Sequence, residues 1–164
     1  MKKAAAQKIV PHLWYAKEAE EAARFYARVF PKSRVIRVTA LPAESPSGPA
    51  GSVKIVEFTL FGQSFTAFSA GPHDEFNDSI SFMVHCESQA EIDRYWNAIL
   101  ENGGKPTACG WINDKYGVRW QITPVQLGEW IRHRDKAKAK RVTEELLRQV
   151  KLDVAKLEAA FKGR

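Results

Sequence analysis

The chain has 164 residues, 45% of them hydrophobic and 11% aromatic, with a formal charge of +6. That suits one compact domain with a real core; it excludes a disordered chain, and no run approaches the ~18 apolar residues of a membrane span. Much of the positive excess sits in Arg132, Arg134, Lys136, Lys138, Lys140 and Arg141 without interleaved aromatic residues, so it reads as a solvated helix face and argues against a nucleic-acid partner.

The start, Met1 to Lys8, is basic, and the apolar stretch after it is too short for a signal peptide. Ile9 to Tyr15 reads as a strand. A helix follows, with Ala19, Ala22, Ala23, Tyr26, Val29 and Phe30 at helical spacing, and Pro31 ends it. Ser33 to Leu41 is a strand, and the Pro- and Gly-rich stretch from Pro42 to Gly51 is a loop. Val53 to Phe61 and Ser64 to Ala70 form a hairpin about a Gly62-Gln63 turn, closed off by Gly71-Pro72. The order then restarts with a strand over Ser79 to Cys86. Ser88 and Glu91 have capping-box spacing ahead of a helix that carries Ile92, Tyr95, Trp96, Ile99 and Leu100 and stops at Gly103-Gly104. Strand-rich sequence runs on to Pro124. Strand–helix–strands thus occurs twice, as a repeat of element order with weak residue identity. From Glu129 to Phe161 the pattern is helical: Asp135 caps one helix with Val142, Leu146 and Val150 inward, and Asp153 caps another with Val154, Leu157 and Phe161 inward. These helices cover either their own subunit or a partner chain.

Side chains alternate across a strand, so parity separates two faces. Val118, Trp120 and Ile122 pack, while Arg119, Gln121 and Thr123 point the other way. Val56, Phe58 and Leu60 pack, leaving Ile55, Glu57 and Thr59 opposite. Ile80, Phe82 and Val84 pack, leaving Ser79, Ser81, Met83 and His85 opposite. A semi-polar face on several strands reads as the wall of a ligand cleft. Glu57, Ser79, Ser81, His85, Trp111, Arg119 and Gln121 are its candidate ligand-binding residues, with Phe68 as a further aromatic wall. Arg119 suits a carboxylate or phosphonate. Glu57 is either a base with a raised pKa among apolar neighbours or a carboxylate paired with Arg119. Cys86 and Cys109 form neither a disulfide framework nor a zinc cluster, and Cys109 has no nearby histidine to activate it. Asp114 and Lys115 read as turn chemistry. Reduced thiols and the missing span indicate a soluble, cytoplasmic protein.

Phe25-Tyr26, the run Phe65 to Pro72, Phe76 to Phe82, Gln89 to Trp96, Gly103-Gly104 and Cys109 to Pro124, with Pro11 and Trp14, carry a resemblance to a known family. In their order and spacing the chain resembles the vicinal oxygen chelate superfamily of glyoxalase, bleomycin-resistance and extradiol dioxygenase proteins. The closer likeness is to its PhnB-like branch, often labelled 3-demethylubiquinone-9 3-methyltransferase. The resemblance implies an α+β fold: two paired βαβββ modules (8–72 and 78–125) forming a curved mixed sheet around a cleft. Together they make a glyoxalase-like domain over 1–128, followed by a C-terminal helical extension over 129–164. A homodimer is implied as well. In metal-dependent members a divalent ion is held from the first and last strands of each module. The matching positions here offer Ser79 where histidine is expected and Gln121 where glutamate is expected. Module one offers Ala67 on its last strand and Pro11 or, shifted by one, His12 on its first. His12 and Gln121 from these positions, with Glu57 from the mixed face of its strand, are the weak metal candidates, and no cofactor is expected unless the metal-dependent alternative holds. No Gly-rich strand-to-helix turn suits the nucleotide part of a methyl donor, so the methyltransferase label reads as an inherited name. The expectation is a metal-free binder of a small anionic or aromatic molecule. The alternative is a glyoxalase-type lyase, isomerase or dioxygenase.

Overall fold

A computed structural model describes residues 7–72 and 74–164. The basic start over residues 1–6 and the loop position of His73 lie outside the described residues. The chain divides into two compact units, one ending at Asp74 and one running from Glu75 to Arg164.

In the first unit the chain runs β1 (His12–Tyr15), α1 (Ala19–Val29), β2 (Arg34–Ala40), β3 (Lys54–Leu60) and β4 (Gln63–Ser69). The sheet order is β1-β4-β3-β2, with β1 parallel to β4 and the other pairs antiparallel. Leu13, Tyr15, Val56, Phe58, Leu60, Phe65 and Ala67 fill one face and pack with Ala22, Ala23, Phe25 and Tyr26 of α1. The side chain of Glu18 makes no cap at the start of α1; the Ser69 hydroxyl on β4 accepts the N–H of Ala19 at 3.1 Å instead, tying helix entry to the sheet. β1 is shorter than the Ile9 to Tyr15 expected, and Ile9 is 85% exposed. The hairpin turn is Phe61-Gly62, one residue earlier than the spacing suggested, because Leu60 pairs with Gln63. Both turn residues have positive φ (50° and 79°), the geometry that matches strand twist in a two-residue hairpin and that glycine adopts freely.

The second unit repeats this plan with β5 (Phe82–Cys86), α2 (Gln89–Glu101), β6 (Lys105–Pro106), β7 (Trp111–Asn113) and β8 (Arg119–Pro124). Its order, β5-β8-β7-β6, again sets the first strand parallel to the last. The doubled element order in the sequence is therefore a doubled topology. Ser88 accepts the N–H of Glu91 at 3.3 Å, and the Glu91 carboxylate reaches back to the N–H of Glu87 at 2.9 Å. Such a cap contributes about 1 kcal/mol. Ile92, Tyr95, Trp96 and Ile99 of α2 are buried, as are Val84, Cys86, Ile112, Trp120 and Ile122 on the sheet.

Three helices follow: α3 (Leu127–Ile131), α4 (Lys136–Arg148) and α5 (Val154–Lys162). Asp135 and Asp153 cap α4 and α5 as expected. Leu127, Val142, Leu152 and Leu157 form a separate core, with Trp130, Leu146 and Phe161 packed against it. Val150, expected inward, is 47% exposed, because α4 ends at Arg148 and the chain turns extended there. That extended stretch is tied to the same unit. The N–H groups of Cys109 and Gly110 donate to the carbonyls of Gln149 and Val150, each at 2.8 Å. Gly110 has φ +85°, and a Cβ there would sit 2.9 Å from the Ile122 carbonyl and 3.0 Å from Leu152, so this close approach requires glycine. The connection between α4 and α5 is thus hydrogen-bonded to the second unit of its own chain. No described helix is long and apolar enough to cross a membrane.

Candidate functional site

The face of β5-β8-β7 that turns away from α2 gathers most of the expected residues of the second unit. Pairing sets Met83 beside Gln121 and Gln121 beside Trp111 in one row. His85 lies beside Thr123, and Arg119 beside Asn113. Gln121 donates to the Ser81 hydroxyl at 2.7 Å. Arg119 donates through Nε to Asp78 and through Nη1 to the Gly117 carbonyl, both at 2.7 Å, and its side chain is 18% exposed. Its position is therefore fixed before any ligand arrives. The side-chain oxygen of Asn113 is buried and has no hydrogen-bond partner among the described residues.

Ser79 is not on this face. The strand begins only at Phe82; Ser79 lies in an exposed turn where its N–H donates to the Asn77 side chain at 2.9 Å. Ile80, expected to pack, is 73% exposed for the same reason. An Asx-type turn here outcompetes strand pairing.

His12 and Glu57 lie in the first unit. Their cross-strand row runs His12, Thr66, Glu57, Arg37 over four neighbouring strands. Two strand spacings, about 10 Å, separate the backbones of His12 and Glu57. Glu57 pairs with Arg37 at 2.5 Å, and this hydrogen bond, outweighing desolvation, holds its carboxyl below the usual glutamate range. The raised pKa and the Arg119 partner expected for Glu57 are both replaced, because strand pairing puts a guanidinium on the adjacent strand. His12 is an exposed residue, yet its ring meets Phe68 edge-on at 4.1 Å, and desolvation lowers its pKa. Among the described residues no group of three or more His, Cys, Asp or Glu side chains stands together to hold a metal ion. Of the positions the resemblance matches to metal ligands, Ala67 carries no side-chain donor and Ser79 lies in a turn ahead of its strand, which leaves His12 and the amide oxygen of Gln121, too few donors for a conventional divalent site.

Asp114 does more than shape a turn. It is 5% exposed and accepts the indole N–H of Trp120 at 2.9 Å, together with the backbone N–H groups of Tyr116 and Val118. Burial, with Glu91 adding to it, pushes the Cys86 thiol up to about 12, so it is protonated and inert at neutral pH.

Sequence reasoning missed a groove of about 530 Å³ at one end of this face, within the size range of small-molecule sites. Met83 and His85 of β5 form one side; Val125, Gly128, Ile131 and Arg132 bring α3 up to form the other. Arg132 had been absorbed into the basic run. Three other members of that run are engaged internally: Lys140 with Glu144, Arg141 with the last carbonyls of α5, and Lys138 over the Phe161 ring.

Residues 7–123 match the family described as 3-demethylubiquinone-9 3-methyltransferase. A PhnB protein from Bacillus cereus is 33% identical, with a TM-score of 0.63 over 72% of this chain and 99% of that one. A fosfomycin resistance protein, FosX, from Listeria monocytogenes shares the fold at 14% identity, with a TM-score of 0.54 over 79% of this chain and 99% of that one. A mutant of that protein, 13% identical and with a TM-score of 0.51 over 75% of this chain and 94% of that one, was solved with Mn(II) and dihydroxypropylphosphonic acid. No curated protein matches the chain.

Proposed function

From the premise that the chain belongs to the family described as 3-demethylubiquinone-9 3-methyltransferase, the PhnB-like branch of the vicinal oxygen chelate superfamily, we propose that it binds a small anionic or aromatic molecule without a conventional metal site. The ligand lies on the β5-β8-β7 face of the second unit.

One contrast carries this reading. Trp120 and Ile122 on one side of β8 are at most 2% exposed, whereas Arg119 and Gln121 on the other stay partly open beside Trp111 and Met83. A sheet face with a pre-positioned guanidinium, an amide and an indole suits a ligand with an oxyanion and a flat apolar part. The unpartnered oxygen of Asn113 supplies an acceptor that a ligand donor or a water would satisfy.

The test is a titration with benzoate, phenylphosphonate and methylphosphonate, followed by tryptophan fluorescence. A saturable change is expected, with Arg119→Gln weakening the acids about tenfold. Silence towards the whole panel would sink the reading. Elemental analysis of protein purified without chelator checks the metal-free part, and a full equivalent of a transition metal would overturn it. The alternative, a metal-dependent lyase, isomerase or dioxygenase, draws on the Mn(II) complex of the fosfomycin resistance protein. The residues present favour it less, since Glu57 is held by Arg37, and Ala67 and Ser79 stand where metal ligands are expected.

Methyl transfer from a nucleotide-bearing donor finds no support in the strand-to-helix junctions. Ala16-Lys17-Glu18 in the first unit and Glu87-Ser88 in the second contain no glycine to admit a phosphate or ribose. Calorimetry with S-adenosylmethionine is expected to show no heat of binding. A homodimer is part of the same proposal, and molar mass in solution checks it.

A further inference from the structure

We propose that the groove between β5 and α3 holds a small oxyanion with an aliphatic body, and that Arg132 is its anion anchor. This groove is a separate site at the end of that face, with an aliphatic rather than a flat ligand, and goes beyond the binding function proposed above. The family match ends at residue 123, whereas α3 begins at Leu127, so the far wall of the groove is built by chain outside the matched region.

Charge selects the ligand's head. Arg132 and His85 line the groove, and none of the lining residues is acidic. Among the described residues no carboxylate forms a salt bridge with Arg132. Its guanidinium lies against Gly128, where a Cβ would come within 3.0 Å and 3.1 Å of the two terminal nitrogens. The bare α-carbon at this position lets the fork lie along α3 at the edge of the groove. A planar guanidinium binds a carboxylate or phosphonate through two parallel hydrogen bonds, and the His85 ring offers a further donor.

Apolar surface selects the body. Met83 is 50% exposed, Val125 51% and Ile131 38%, all on the walls of the groove. A flexible thioether beside two branched side chains accommodates a short alkyl chain better than a flat polar ring. The ligand class is therefore a short-chain alkanoate or alkylphosphonate.

The probes are hexanoate and hexan-1-ol, measured by calorimetry on the full chain. Hexanoate is expected to bind more tightly than the alcohol, and Arg132→Gln is expected to weaken hexanoate about tenfold while leaving the alcohol unchanged. Methyl NMR supplies the second readout: hexanoate is expected to shift the methyl signals of Met83, Val125 and Ile131, and the same spectrum shows that the variant is folded. Unchanged hexanoate affinity in Arg132→Gln, or methyl shifts confined to other residues, overturns the groove assignment. If Arg119→Gln still weakens phenylphosphonate in that case, the sheet-face reading stands and only the groove falls.

Discussion

The carboxylate of Asp114 accepts the indole N–H of Trp120 at 2.9 Å while its other oxygen takes the backbone N–H groups of Tyr116 and Val118. One buried side chain therefore sets both the turn before β8 and the rotamer of the strand's central aromatic. This fixes which parity of β8 turns into the core and which turns away from it. Asp114→Ala leaves the indole and two backbone donors without this acceptor, and an expected loss of about 2–3 kcal/mol would appear in urea unfolding. Asp114→Asn, which retains one side-chain acceptor, is expected to lose less. An unchanged midpoint for the alanine variant would refute the role given to Asp114.

Glu57 and Arg37 define a pH signature. The folded-state pKa of Glu57 lies below its ordinary value, chiefly through its hydrogen bond to Arg37. Its stabilising contribution is therefore present above the unfolded-state pKa and is lost as pH falls through the lower folded value. Carbon-detected NMR titration is expected to place the Glu57 carboxyl below a normal glutamate, and Arg37→Ala to move it upward. A titration near neutrality would instead revive Glu57 as a general base.

Gln89 holds the C-terminal helices to α2. Its amide donates to the Leu152 carbonyl at 3.1 Å, and its oxygen accepts the Val154 N–H at 2.9 Å. Gln89→Ala removes both partners, with an expected loss of about 1–3 kcal/mol. Hydrogen exchange at the Val154 amide is expected to accelerate, while the Val84 and Ile122 amides keep their protection. Equal acceleration everywhere would mean that the helices and the sheet unfold as one.

Local signals made the elements readable. Ser88, Asp135 and Asp153 act as the caps their spacing announced, because capping depends only on residues within one turn. Parity placed Val56, Phe58, Trp120 and Ile122 in the core, because a strand's period is independent of its partners. Strand ends were less legible. Ile9 and Ile80 look like strand residues, yet both are exposed, since pairing rather than propensity decides where a strand begins.

The site divides in the same way. The residue types on the β8 face, Arg119 and Gln121 with Trp111 beside them, were set by the sequence alone through alternation and family likeness. Their partners were not. Glu57 met Arg37 and Arg119 met Asp78 because strand register and a turn, both remote in sequence, brought those charges together. The groove needed tertiary structure altogether: Arg132 sits in a basic run that looks like solvated surface, and only the packing of Leu127 into the core of the C-terminal helices brings α3 to the end of the sheet. Periodicity and capping act over a few residues and can be read along the chain. Which charge meets which, and which wall closes a groove, depend on contacts between segments that only the folded chain brings together.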